Sequence, residues 1–491
     1  MSRRRKASLV FIAVVLVALV VPGVASAHAI QVDYKFPFPL WVFLLGGSLA
    51  VLLSAPAAAL AVRAGSTGRT SRDLGFLKRI HLGRIGILVG SFLLLDGVVS
   101  GFFGPTEVTA SALPELIWVD FWVGLGIVSA LFGNLWDFGS PLSAAGRALE
   151  RVLARRGVKT RPYPAGLGVW PSVVLLLAWS WAELIWTSAV HPGYLVWIVI
   201  VYCLLQLAGM AVFGTEIWLA RAELFTVVAR TFARFAPFEI YVTEPAGACR
   251  AERCEHDSAE RIGCPSCWLD AAPDNRGLRL RAYGSGIRRE PAIGAGGSAF
   301  VVALLATVVF DGFRQTNEYG NLQNALNWGA GSINSIGTVM LILVVGAFTL
   351  AYIAVCALAA RSEQGGLRGV VTTYTPTLIP IAAVYFVAHY FAYFILVGQV
   401  SLGNFLDPFE KEWVPDDFTN WFGIPGSVVW NVQLVLIVAG HVIAVLEAHR
   451  IALGRQRSPR RALIAQLPLI LLMVGYTFAG LWVLAQAVNS T

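Results

Sequence analysis

Ten runs of about twenty apolar residues, each closed by a polar loop, follow one another along this chain. A run of that length matches the hydrocarbon thickness of a bilayer, and in lipid a helix is the one single segment that satisfies its own backbone hydrogen bonds. A transmembrane β-barrel would alternate polar and apolar residue by residue, which these runs do not. Of the 491 residues, 57% are hydrophobic and 13% charged, more apolar surface than a soluble fold can hide. The expected fold class is therefore all-α, a polytopic transmembrane helical bundle whose first partner is the lipid bilayer.

The predicted spans are 39–63, 83–104, 115–137, 167–188, 194–219, 295–313, 335–360, 372–398, 428–450 and 463–486. A net charge of +8 would point a soluble domain toward nucleic acid, but here Lys and Arg sit in the loops and act as topology signals. No nucleic-acid partner is expected. One set of alternate loops contains Arg69, Arg72, Lys78, Arg79 and Arg84, then Arg147 to Arg161, the long 220–294 loop, Arg361 and Arg368, and Arg450 to Arg461. The other set contains Glu107 and Glu115, and later Asp407, Glu410, Glu412, Asp416 and Asp417 with a single Lys411. The positive-inside rule then predicts a bacterial inner-membrane protein with both mature termini outside the cytoplasm.

Residues 1–27 have the layout of a signal peptide: Arg3, Arg4, Arg5 and Lys6, an apolar run from Ala7 to Val24, and the small-residue ending Ala25-Ser26-Ala27. An uncleaved anchor is the alternative. The remaining chain divides into spans one to five (28–219), a cytoplasmic loop (220–294) and spans six to ten (295–491). Within the cytoplasmic loops, Ser143 to Arg156 and Arg221 to Phe235 carry amphipathic patterns predicted to lie along the membrane surface. No internal repeat and no paired Gly or Pro breaks of an inverted-repeat transporter are visible.

Polar groups inside spans are costly and therefore functional candidates. They are Asp96, Asp120, Asn134, Glu183, Gln206, Glu216, Asp311, His389, Gln433, His441 and Glu447, with Gln399 just beyond the eighth span. For Asp120, Glu216 and Asp311, close to predicted span ends, a capping or water-facing carboxylate is an equal reading. His389 and His441 are placed about 14 and 20 Å below the outer boundary, so a shared site near the midplane is possible. Imidazole there suits a divalent metal or a proton. A neutral histidine hydrogen-bonded within the bundle is the alternative. His449, about 12 Å and 80° from His441, is expected at the cytoplasmic interface. Cleavage after Ala27 would leave His28 at the N-terminus, its amine and imidazole forming a copper chelate.

Cys249, Cys254, Cys264 and Cys267 contain one C-x2-C knuckle and suggest a structural zinc site, with a redox pair or unligated thiols as alternatives. Cys203 and Cys356 read as packing residues. There is no phosphate-binding loop, no G-x-S-x-G elbow and no H-E-x-x-H motif.

Several phrases, taken in order, resemble a bacterial membrane-protein family named fenitrothion hydrolase. They are Ala25 to His28 with Phe36-Pro37-Phe38-Pro39, Phe121-Trp122-Val123-Gly124 with Leu131-Phe132-Gly133-Asn134, Pro162-Tyr163-Pro164 with Trp181-Ala182-Glu183-Leu184, Gln206 to Met210, Phe310-Asp311-Gly312-Phe313, Ala388-His389-Tyr390-Phe391, Gly398-Gln399, and Gly440-His441-Val442 with Ala448-His449. The cysteine insertion at 249–267 departs from that pattern. The resemblance implies an organophosphate triester hydrolase acting on a small apolar substrate. Its metal-assisted form would use His389, His441 and His28 as ligands and Asp311 or Glu183 as general base. The alternative is a non-enzymatic membrane protein that handles copper or moves a small solute or protons through the same residues.

Overall fold

A computed structural model describes residues 39–61, 72–74, 82–243, 260–262, 265–288, 293–326, 332–363, 365–409, 411–415, 423–456 and 458–489. The predicted signal segment, His28, Cys249, Cys254 and Cys264 lie outside the described residues. Among those described, nine helical segments are long and apolar enough to cross a membrane. The chain is a multi-pass helical membrane protein.

In chain order, α1 (Leu40–Ala61) and α2 (Leu82–Phe103) are followed by α3, which runs Ala112–Phe132 and is π-helical over Leu116–Val123. Next come α4 (Trp136–Gly139), α5 (Pro141–Arg155), α6 (Trp170–Leu184), α7 (Pro192–Phe213), α8 (Thr215–Arg221), α9 (Leu224–Ala233) and α10 (Pro265–Asp270). The second half contains α11 (Ala295–Arg314), α12 (Asn317–Ala325), α13 (Ser332–Ala359), α14 (Gly366–Tyr374), α15 (Ile379–Leu406), α16 (Gly426–Arg455) and α17 (Pro459–Asn489). Leu88, Leu95 and Phe103 of α2 are 71%, 63% and 76% exposed, an apolar surface that suits lipid and not water.

The predicted fourth span is the exception on length. Its helix, α6, has 15 residues, about 22 Å at 1.5 Å per residue, less than the roughly 30 Å core. The segment still joins the two faces: Val169 and Trp170 meet Gly296 at the start of α11, while Ile185 meets Gly337 at the start of α13.

Two features of the predicted 220–294 loop differ from expectation. Gly214, at φ +90°, takes the left-handed turn that lets the chain reverse at the end of α7. Helix α8 then runs back along α7: the Trp218 indole faces Gly209 and donates to Gln206 Oε1 at 2.7 Å. The tip is Glu223, whose Oε1 accepts from Tyr202 at 2.5 Å, eleven residues or about 16 Å before the end of α7. Helix α9 returns from that depth, with Arg230 donating to Asp137 of α4 at 2.8 Å. Residues 215–233 are thus a re-entrant hairpin. The expectation that Arg221 to Phe235 lies on the membrane surface is corrected, because Leu224, Val228 and Phe232 are fully buried and Phe225 packs on Phe121 and Trp179 at 4.5 and 4.9 Å. The hairpin tip is tolerated because Glu223 Oε1 and Oε2 also accept from the backbone N–H of Phe225 and Thr226, completing the first turn of α9.

The second feature is a four-stranded antiparallel sheet to which the α1–α2 loop adds one strand: β1 (Arg72–Asp73), β4 (Arg276–Leu280), β2 (Phe238–Thr243) and β3 (Glu260–Ile262), in that order. Arg281, just after β4, ties it to the hairpin by donating to the carbonyls of Ala233 at 2.8 Å and Ala236 at 3.0 Å. It also pairs with the buried Glu239, which accepts from Arg279 at 2.5 Å as well. The sheet lies at the face that carries the basic loops. Cys267 is buried there with Trp268, Phe138 and Val242. The other predicted amphipathic segment is α5, capped by Ser140 accepting from the Ser143 N–H at 3.2 Å.

Candidate functional site

The polar groups converge where α6, α11 and α15 meet. The pairing of α11 with α15 places Asp311 opposite His389 and Tyr390. Oδ2 of Asp311 lies 2.9 Å from Nε2 of His389 and accepts from the Tyr390 hydroxyl at 2.7 Å. An ionised carboxylate only accepts, so Nε2 carries the hydrogen of this contact. Glu183 of α6 is within electrostatic range of Asp311 and of Arg314. The sequence singled out Asp311, Glu183 and His389, and the fold brings them together. Tyr390 was missed, although it follows His389 directly, because tyrosine in an apolar span reads as packing.

Tyr385 completes the group. Its ring is parallel to that of His389, with centroids 6.2 Å apart. Its buried hydroxyl has no hydrogen-bond partner. A Cβ added at Gly312 would meet that hydroxyl at 3.3 Å and His389 Cε1 at 3.4 Å, so both groups point to the backbone beside Asp311. The Asp311 side chain retains 12% of its accessible surface, which leaves room beside the carboxylate.

On the side toward the re-entrant hairpin an aromatic layer closes this space. Phe386, one turn before Tyr390, meets it at 4.8 Å and meets Trp122 at 5.7 Å; Trp179 and Phe225 continue the layer. Gly126 permits the packing, since a Cβ there would lie 2.2 Å from the Phe386 ring.

His441 does not join His389. Gln433 of α16 donates to the Ala388 carbonyl at 3.1 Å, which sets Gln433 level with His389, and His441 is eight residues or about 12 Å further along. Gly440 packs on Val384, consistent with that register. His441 Nδ1 instead lies 2.8 Å from its own Ile437 carbonyl, and its Nε2 is buried without a partner. Among the described residues no group of three or more His, Cys, Asp and Glu converges as a metal site. The expected shared His389–His441 metal site is thus not what the packing builds.

Most other candidates have structural partners. Glu216 pairs with Arg147 at 3.1 Å, Glu447 with Arg288 at 2.6 Å, and His449 Nδ1 lies 2.6 Å from Gln466. Asn134 accepts from the Asp137 N–H at 3.1 Å. Gln399 is partly buried on α15. Asp96 has one carboxylate oxygen buried without a partner. Asp120 is bonded to Ser401.

Fold and site together define a multi-pass helical membrane protein with a buried Asp-His-Tyr centre. No protein-family model, curated protein or solved structure matches the chain.

Proposed function

We propose that this is a bacterial inner-membrane protein, basic loops in the cytoplasm and both mature termini outside, that moves protons or a small protonatable solute through the Asp311 centre. The observation that carries the reading is Oδ2 of Asp311 held by both His389 Nε2 at 2.9 Å and the Tyr390 hydroxyl at 2.7 Å. Carboxylate, imidazole and phenol in contact form a chain along which a proton can pass, and intramembrane acids in such chains mark proton relays. The test is reconstitution into proteoliposomes containing a pH dye, with a potassium diffusion potential imposed. An internal pH change that disappears in Asp311→Asn supports the reading. Identical traces from parent, Asp311→Asn and empty vesicles sink it.

The same pair favours a second reading, the phosphotriester hydrolysis that the family resemblance implies. There His389, oriented by Asp311, removes the proton from an attacking water as a general base. Release of a nitrophenol from a phosphate triester by the purified protein, lost in His389→Gln, separates it from the first.

On the cytoplasmic face, Cys249, Cys254, Cys264 and Cys267 hold a structural zinc in this reading. Zinc content should fall in the Cys264→Ser/Cys267→Ser variant with the bundle still folded.

A further inference from the structure

Asp120 and Glu115 are the carboxylates of α3, and the centre itself does not use them. Five residues apart, they would stand about 140° from one another on an α-helix. The π-helical turn over Leu116–Val123, with its i to i+5 bonding, brings such a pair onto one face. That face meets α15: Asp120 is bonded to Ser401, and Glu115 Oε2 accepts from Asn404 at 2.9 Å. Gly398 makes room, because a Cβ there would lie 3.3 Å from Asp120 Oδ1.

Tyr390, Tyr393, Ser401 and Asn404 fall within an arc of about 80° on α15, and Asn404 is about 21 Å along the axis from Tyr390. This stripe runs from the end of α15 remote from the basic face down to Asp311. Tyr393, one turn or about 4.5 Å from Tyr390 on the way outward, is 41% exposed and within electrostatic range of Glu183, Glu115 and Asp311. At the inner end an independent observation points to an occupant. The Tyr385 hydroxyl, 2% exposed as a residue, is an unpartnered donor turned toward the space beside Asp311, and a buried site with several polar partners is where water is held. Beyond it the aromatic layer of Phe386, Trp122, Trp179 and Phe225 offers no polar group except two indole N–H donors.

We infer that the Asp311 centre is loaded with protons from one face only, through Glu115 and Asp120 along α15, to a water held by Tyr385. The inference rests on the proton reading of the centre. Its test is independent of flux. The purified full-length protein is subjected to a pH jump, and the carboxylic acid C=O band of Asp311, identified by its loss in Asp311→Asn, is followed by time-resolved infrared spectroscopy. Asp120→Asn and Gly398→Val should slow the change of that band by about a hundredfold, the low end for a positioned proton-transfer group. Asp96→Asn, off the route, should leave the rate at the parental value. Parental rates in both Asp120→Asn and Glu115→Gln, with unchanged circular dichroism, overturn the inference. A slowed band without any transmembrane flux overturns the transport reading and leaves the route standing. No Asp311 band at any pH at which the protein stays folded overturns both.

Discussion

Tyr202 and Glu223, 21 residues apart, meet hydroxyl to carboxylate at 2.5 Å inside the bundle, and that contact defines how deep the chain turns back on itself. The half-helix α9 begins there with its N-terminal amides turned inward, and an internal carboxylate satisfies them. Broken helices of this kind survive at membrane depth only where protein surrounds them.

The hairpin therefore depends on its cap. Glu223→Ala should destabilise the protein by about 2 to 4 kcal/mol, summing a lost N-cap and a stranded Tyr202 hydroxyl, and Tyr202→Phe should cost less. Thermal unfolding in detergent reads both. A Glu223→Ala protein as stable as the parent would show that the hairpin is held by apolar packing alone.

Gly126 and Phe386 form a second dependent pair. Gly126→Ala forces the Phe386 ring to move, an overpacking cost of about 1 to 3 kcal/mol. Added to Phe386→Ala, the same change should be nearly neutral. Additive losses in this double-mutant cycle would mean the two sites do not couple.

Tyr390→Phe removes one of the two donors on Asp311 and should lower stability by about 1.5 to 3 kcal/mol, the range for hydrogen bonds to charged groups. His389 remains, so residual proton movement is expected, while His389→Gln combined with Tyr390→Phe should abolish it. The dye-loaded proteoliposome assay compares the two; full flux in the double variant would remove the centre from the pathway.

The bundle was legible because lipid imposes one rule on every span, and nine of the ten apolar runs obey it as helices long enough to cross. Where tertiary contacts decide, residue patterns carried less. Leu224, Val227, Val228 and Thr231 give the same amphipathic signature on a membrane surface as at a hairpin tip, and the difference comes from Phe121, Trp179 and Phe386, far away in the chain. The sheet went unseen since β1 and β3 have two and three residues, too short for a period-2 pattern. His389 stood out by depth alone. Its partner Asp311 looked like a span-end carboxylate because α11 ends three residues later, whereas α15 runs 17 residues past His389 and keeps the pair inside. The pairing of His389 with His441 failed on register, which Gln433 and Ala388 set and spacing cannot supply.

The two faces of the bundle give the last prediction. Asn321 lies exposed on α12, directly after α11 ends, while Gly365 is exposed at the start of α14 and a Cβ there would lie 3.5 Å from the Arg455 guanidinium. Helix α13 runs from one level to the other, 28 residues or about 42 Å, so the two positions stand on opposite sides of the membrane. Basic residues gather on the Gly365 side, where Arg455 also pairs with Glu363 at 2.8 Å, and the charge rule puts that side in the cytoplasm. In intact cells a membrane-impermeant thiol reagent should modify a cysteine at Asn321 and spare one at Gly365, with both reacting after the membrane is opened. A cysteine at Ala222, fully buried beside the hairpin tip, should stay unmodified in either condition. Labelling at Gly365 with protection at Asn321 would invert the topology, placing the α15 stripe on the cytoplasmic side; labelling of Ala222 in intact cells would show that the re-entrant tip is open to water.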